Sequence, residues 1–272
     1  MQIMFQKALL AVNFSEPTAK IQGAVDFVCS FGTETVVLHH VVGGAHSSGA
    51  ERKLSDLKKT LEPRGLKLLT KVTRGSPATA IDHAARSEQA DLICVPWKRK
   101  SWIQRSLVGS TTKDVVRLTD LPVFVYKHRN APDSFEQGLV VLYATALQER
   151  DETILPYLSY EGLEARRLVL LHVGRRAPDP ETEKRREDEV LLSLNRLASE
   201  AEQEGRETEA VSLTGNAKRR IPRLARRESA DLIVLGKSEA GGIISGVLGS
   251  TAEEVAYSAP QSVLIIGREA PE

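Results

Sequence analysis

Gly75-Ser76-Pro77-Ala78, followed by Ile81 and then Ala85-Arg86-Ser87-Glu88-Gln89-Ala90-Asp91-Leu92-Ile93, returns 140 residues later. There it reads Gly215-Asn216-Ala217-Lys218, Ile221 and Ala225-Arg226-Arg227-Glu228-Ser229-Ala230-Asp231-Leu232-Ile233. The same offset lays Leu107-Val108-Gly109-Ser110-Thr111 on Val247-Leu248-Gly249-Ser250-Thr251. A register kept over more than 35 residues marks a duplication, and two copies are too few for a solenoid. Each copy has about 135 residues, an ordinary domain size. Polar, Pro-containing residues 128–137 suit a connection, so the predicted division is 1–130, a linker at 131–137, and 138–272.

Working outward from the repeat, each copy alternates short apolar runs with helical segments. Ala8–Val12 and Leu139–Tyr143 read as strands buried on both faces, and helices are expected over Pro17–Phe31 and Asp151–Glu161. Thr35–Val42 and Arg167–Val173 are again apolar. The offset grows from 132 at His40/His172 to 140 at Gly75/Gly215, so the second copy has gained eight residues there. In that region Val190, Leu191, Leu194, Leu197, Ala198 and Ala201 form one apolar helical stripe. Lys67–Val72 and Glu209–Leu213 read as strands leading to the repeated glycine, with helices over Pro77–Gln89 and Ala217–Ser229 beyond it. Strands at Asp91–Val95 and Asp231–Leu235, then Gly-Ser-Thr helix starts, precede closing strands at Val123–Tyr126 and Val263–Ile266. The prediction is α/β: two tandem doubly wound domains, each a five-stranded parallel sheet with helices on both faces.

Composition narrows the function. The chain is 41% apolar and 27% charged, an ordinary globular balance. No apolar run approaches the roughly 18 residues of a membrane span, and the N-terminus lacks a signal-peptide pattern. A cytoplasmic location is therefore expected, with Cys29 and Cys94 read as core residues in a reducing compartment. The net charge of +1 conceals +7 on residues 1–133 and −6 on residues 134–272, which favours packing of one half on the other. No basic stripe with interleaved aromatics is present, so nucleic acid is not expected as a partner. His39 and His40 are adjacent on a strand and point to opposite faces, so they cannot share a metal ion. His40 and His172 read as structural strand-end residues.

Ligands on such sheets bind beyond the carboxyl ends of the strands, where the strand order switches. Gly109-Ser110-Thr111 and Gly249-Ser250-Thr251 each stand before a helix, where free N–H groups can hold an anion. Helix capping is the simpler reading, with Ser250 and Glu253 as a capping box.

The assembled pattern resembles the universal stress protein family over nearly the full length of both copies. The matching residues are the Leu10–Ser15 opening, His-Val at 40–41 and 172–173, Ala-Asp-Leu-Ile at 90–93 and 230–233, and the Gly-Ser turn. Leu121-Pro122-Val123 and Ala259-Pro260-Gln261-Ser262-Val263 keep parts of the family's closing motif. The resemblance implies an Asp after the first strand and a Gly-x2-Gly-x9-Gly-Ser/Thr loop in members that bind ATP. Here the Asp position holds Asn13 or Ala146, and the two earlier loop glycines become Pro96 and Arg99, or Gly236 and Glu239. The loop of the first copy gains Lys98, Arg99, Lys100 and Arg105, read as a solvated surface.

These departures predict a stress-response binding or regulatory protein with degenerate nucleotide sites, not an enzyme, and with no certain cofactor. The alternative is ATP binding in the second domain, with slow hydrolysis, through Gly236, Gly249, Ser250 and Thr251, and adenine against the backbone near Val173. Gly109, Ser110 and Thr111 are the weaker candidate site, expected to be partly filled by Trp97 and Trp102. An adenylate-forming enzyme would need a Ser-Gly-Gly-x-Asp-Ser type loop, which neither copy has. As partners, the resemblance implies face-to-face pairing of the two domains within the chain. A homodimer through the closing strands, an unidentified protein and a small ligand all stay open.

Overall fold

The computed structural model describes residues 5–43, 48–61, 65–97, 110–128, 131–132, 134–147, 151–158, 163, 165–201, 205–237 and 249–267. The first repeat runs β1 (Lys7–Ala11), α1 (Thr18–Cys29), β2 (Thr35–Val42), α2 (Ser48–Thr60), β3 (Lys67–Arg74), α3 (Pro77–Ser87), β4 (Leu92–Pro96), α4 (Ser110–Leu118) and β5 (Val123–Tyr126). The second runs β6 (Leu139–Thr145), α5 (Asp151–Leu158), β7 (Ala165–Gly174), α6 (Pro180–Glu200), β8 (Glu207–Thr214), α7 (Ala217–Arg227), β9 (Leu232–Gly236), α8 (Ser250–Ser258) and β10 (Ser262–Ile266). Both repeats are doubly wound and parallel, as their buried apolar runs require.

The repeated motif has a structural meaning. Gly75 and Gly215 end β3 and β8 at φ of 122° and 128°, a backbone region that a side chain would strain. Asp91 and Asp231 each accept a backbone N–H at the start of the neighbouring first strand, Lys7 at 2.9 Å and Val140 at 2.8 Å. Each aspartate thereby fixes the register of β4 on β1, or of β9 on β6.

The pairing of the repeats differs from the expected face-to-face packing. The strands form one ten-stranded sheet in the order β3-β2-β1-β4-β5-β10-β9-β6-β7-β8, joined edge to edge where β5 meets β10 antiparallel. A closing strand left at an edge would present unpaired N–H and C=O groups, and joining the two edges satisfies both rows. The closing strands are thus used within the chain, and a second chain would have to meet another surface. One core lies on each face and crosses the seam. Phe27, Leu54, Phe124, Tyr157 and Leu194 share one; Leu9, Ile81, Val115, Ile221 and Val255 share the other. Phe5 stacks on Tyr157 of the other repeat at 5.3 Å between ring centroids.

The charge asymmetry is visible at the seam. Glu253 of α8 pairs with Lys113 at 2.7 Å and Arg117 at 2.8 Å, both on α4. The capping box does not form: Gly249 is the N-cap of α8, no side chain caps it, and Glu253 turns to the two cations instead. Cys94 is fully buried and Cys29 half-buried against the core.

Candidate functional site

In each repeat the chain order reverses between the first and fourth strands, and a cavity opens at their carboxyl ends. The first cavity, about 210 Å³, is bounded by Ala11 at the end of β1 and Val12 and Asn13 after it, by His39, His40 and Val41 of β2, and by Pro96 and Trp97. Thr111 and Thr112 of α4 close its far side. Trp97 walls this cavity without sealing it, because its ring turns to Tyr257 of the other repeat at 5.1 Å. Gly109, Trp102 and the basic residues Lys98, Arg99, Lys100 and Arg105 lie outside the described residues, and Ser110 is described only as the first residue of α4.

The polar groups of the first cavity are mostly engaged. Glu16 pairs with Lys20 at 2.7 Å, and Lys20 also donates to the Trp97 carbonyl at 2.7 Å. Asn13 accepts the Ser15 N–H at 3.0 Å. The His40 ring donates from Nδ1 to the Val12 carbonyl at 2.8 Å, the structural bond expected of it. His39 is 1% exposed; its Nε2 lies 2.8 Å from the Thr73 hydroxyl, while Nδ1 is buried with no partner among the described residues. Burial, with the Lys71 cation second, lowers the His39 pKa to about 4, so the ring is neutral at pH 7.

The second cavity, about 260 Å³, has Val173, Gly236 and Thr251 among its lining residues. Ala146, at the strand-end position that holds Asn13 in the first repeat, lines it too. Gly249 and Ser250 are not among its described lining residues; Gly249, the N-cap of α8, is buried and Ser250 is exposed. Glu239 and the loop Ala240-Gly241-Gly242 lie outside the described residues. Gly236 leaves little room for a side chain, since a Cβ there would come within 2.8 Å of Ile154 Cδ1.

Three residues not anticipated from the sequence define this cavity chemically. Tyr143 and Thr145, at alternate positions of β6, both donate to Oδ1 of Asp151 at the start of α5; the Thr145 bond is 2.6 Å. All three are at most 7% exposed. Burial first, then the Asp151 charge, pushes the Tyr143 hydroxyl well above its usual pKa, so it stays a donor. His172 donates from Nδ1 to the Thr145 carbonyl at 3.1 Å, repeating the His40 arrangement. The signal in the sequence was two polar residues on one face of an otherwise apolar strand, followed by an acidic helix start.

Comparison with known proteins agrees with this architecture. Residues 4–127 and 160–267 match the model of the universal stress protein family, and the chain belongs to that family. A universal stress protein of Methanocaldococcus jannaschii is 29% identical over 165 residues, spanning 48% of this chain and 100% of that protein. The crystal structure of a universal stress protein from Archaeoglobus fulgidus covers 100% of both chains with a TM-score of 0.72 at 22% identity. A functionally unknown protein from Pseudomonas aeruginosa superposes with a TM-score of 0.69 at 18% identity, over 96% of this chain and 92% of its own. At these identities the two structures support the fold alone.

Proposed function

We propose that this chain is a cytoplasmic stress-response protein that binds and regulates without turnover, its two domains divided at residues 131–137. The observation that supports this reading is a cavity at each strand-order switch whose strand-end position carries Asn13 or Ala146 in place of a carboxylate. An amide or a methyl group keeps the cavity but gives up the charge that would grip hydroxyls or an amine. Differential scanning calorimetry with and without millimolar ATP·Mg tests the reading. A nucleotide bound only by the native state at 100 times its dissociation constant would add about 2.7 kcal/mol of stability. The expected result is no such gain, and a gain of that size would turn the balance to the second reading.

The second reading, ATP held by the second domain with slow hydrolysis, is favoured by Val173, Gly236 and Thr251 meeting in one cavity. It predicts nucleotide in the protein as purified and its loss in Gly249→Val. Absence of nucleotide by mass spectrometry, with Gly249→Val behaving as the parent, removes it.

A further inference from the structure

The Tyr143–Thr145–Asp151 cluster in the second cavity has one sign. The Tyr143 and Thr145 hydroxyls spend their hydrogens on Asp151 Oδ1, and Thr145 Oγ1 also accepts the Leu147 N–H at 2.8 Å. His172 Nδ1 must donate, because its partner is a carbonyl. What this cluster still offers a ligand is therefore acceptor capacity, centred on a buried carboxyl group that no basic side chain pairs among the described residues. A buried carboxylate is costly unless it is charge-paired or fully hydrogen-bonded.

The fold does not need this cluster. Leu10 pairs with Cys94 in β4 as Tyr143 pairs with Val234 in β9, so Leu10 and Tyr143 are equivalent. Val12 and Thr145 are equivalent as well, since each carbonyl receives the equivalent histidine, His40 or His172. The first repeat packs the same place with two apolar residues, both at most 5% exposed. The Tyr143–Thr145–Asp151 cluster is specific to the second cavity; the acid that lines the first, Glu16, is already paired with Lys20.

We propose that Asp151 is the recognition residue of the second cavity. It takes the donor-bearing end of a small ligand, an ammonium group or a sugar diol, and keeps phosphate away from that end. The inference rests on the reading of this cavity as a ligand site and adds the chemical class of the ligand and the residue that selects it.

Calorimetric titration of the full chain and of Asp151→Asn tests it, with spermidine as the ammonium probe, adenosine as the diol probe, 2′,3′-dideoxyadenosine as the diol-free control, and ATP·Mg. Binding of spermidine, or of adenosine but not its dideoxy form, is expected, weakened about tenfold or more in Asp151→Asn because a charge-assisted bond is lost. Failure of both probes on the parent chain overturns the proposal, as does equal binding to parent and variant. ATP·Mg binding that survives in Asp151→Asn would overturn it while leaving the nucleotide reading in place; spermidine binding without ATP·Mg binding would do the reverse. A merely structural Asp151 would lower the unliganded melting temperature and leave the dissociation constants unmoved. If Asp151→Asn fails to fold, Thr145→Val decides, since the first repeat already accommodates valine there. A several-fold weakening of the same probes is expected, and unchanged binding overturns the proposal.

Discussion

His39 and Leu171 hold the same place in the two repeats: His39 faces Ala11 on β1, and Leu171 faces Ala144 on β6. One is a neutral imidazole with an unpartnered nitrogen, the other a plain core residue. The folded state holds His39 at a pKa of about 4, below the ordinary 6.5. Between those values the unfolded chain binds the extra proton, so the contribution is complete above pH 6.5 and is lost as pH falls toward 4. The depressed value corresponds to at most about 3 kcal/mol across that window. His39→Leu should flatten the acid limb of stability between pH 6.5 and 4, because the second repeat shows leucine fitting the site. Urea unfolding at pH 7.5 and pH 4.5 checks this; an unchanged pH dependence would refute it.

The carboxyl ends of α4 and α8 are secured across the seam. Lys237, one residue past β9 and 7% exposed, donates to the Thr119 carbonyl at 2.6 Å, just beyond the end of α4. Lys127, one residue past β5, donates to the Ala259 carbonyl at the end of α8, its ammonium 5.0 Å from the Trp97 ring centroid. A cation suits the negative end of a helix, and each bond satisfies a carbonyl that the helix itself cannot. Burial lowers the Lys127 pKa to about 7, so its contribution to stability rises with pH from 7 to 10.5 and falls away as the solution is acidified through that range. Lys237→Met keeps the apolar stem but orphans the Thr119 carbonyl, an expected cost of about 1–3 kcal/mol. Hydrogen exchange should locate the loss in the last turn of α4, and a loss confined to α8 would contradict the assignment.

The whole molecule depends on a narrow seam. β5 and β10 pair through Val125↔Val263, Phe124↔Leu264 and Val123↔Ile265, and both cores run across the junction. Just past β10, Gly267 lies so close to the first repeat that a Cβ would sit 2.0 Å from the Asp120 carbonyl oxygen. That neighbour is backbone, so the strands must move apart to admit it. Gly267→Ala should cost about 1–3 kcal/mol by overpacking and should loosen the two repeats from each other. Glu253→Gln, removing partly exposed ion pairs at the same seam, should cost about 1 kcal/mol or less, and less again in high salt. Denaturant melts of both variants decide the order, and a larger effect from Glu253→Gln would show that charge, not backbone fit, holds the seam.

The duplication, the α/β alternation and the strand-end location of both cavities were legible in the sequence. They follow from local causes: apolar runs buried on both faces, glycines at positive φ, and aspartates that tie neighbouring strands. Asn13, Ala146 and Gly236 could likewise be placed by counting, because strand and turn lengths are short and regular. Edge-to-edge joining of the repeats could not be read, since the apolar pattern of β5 and β10 is the same whether their outer edges are open or paired. Nor could the Tyr143–Thr145–Asp151 cluster, because alternation puts two hydroxyls on one face without saying which helix brings an acid to them. Glu253 shows the same divide: its spacing from Ser250 suited a cap, but two cations on a helix 136 residues away from Arg117 to Glu253 in sequence offered stronger partners. Spacing along the chain determines what a residue can reach locally, whereas only the tertiary structure brings the competing partner within bonding distance.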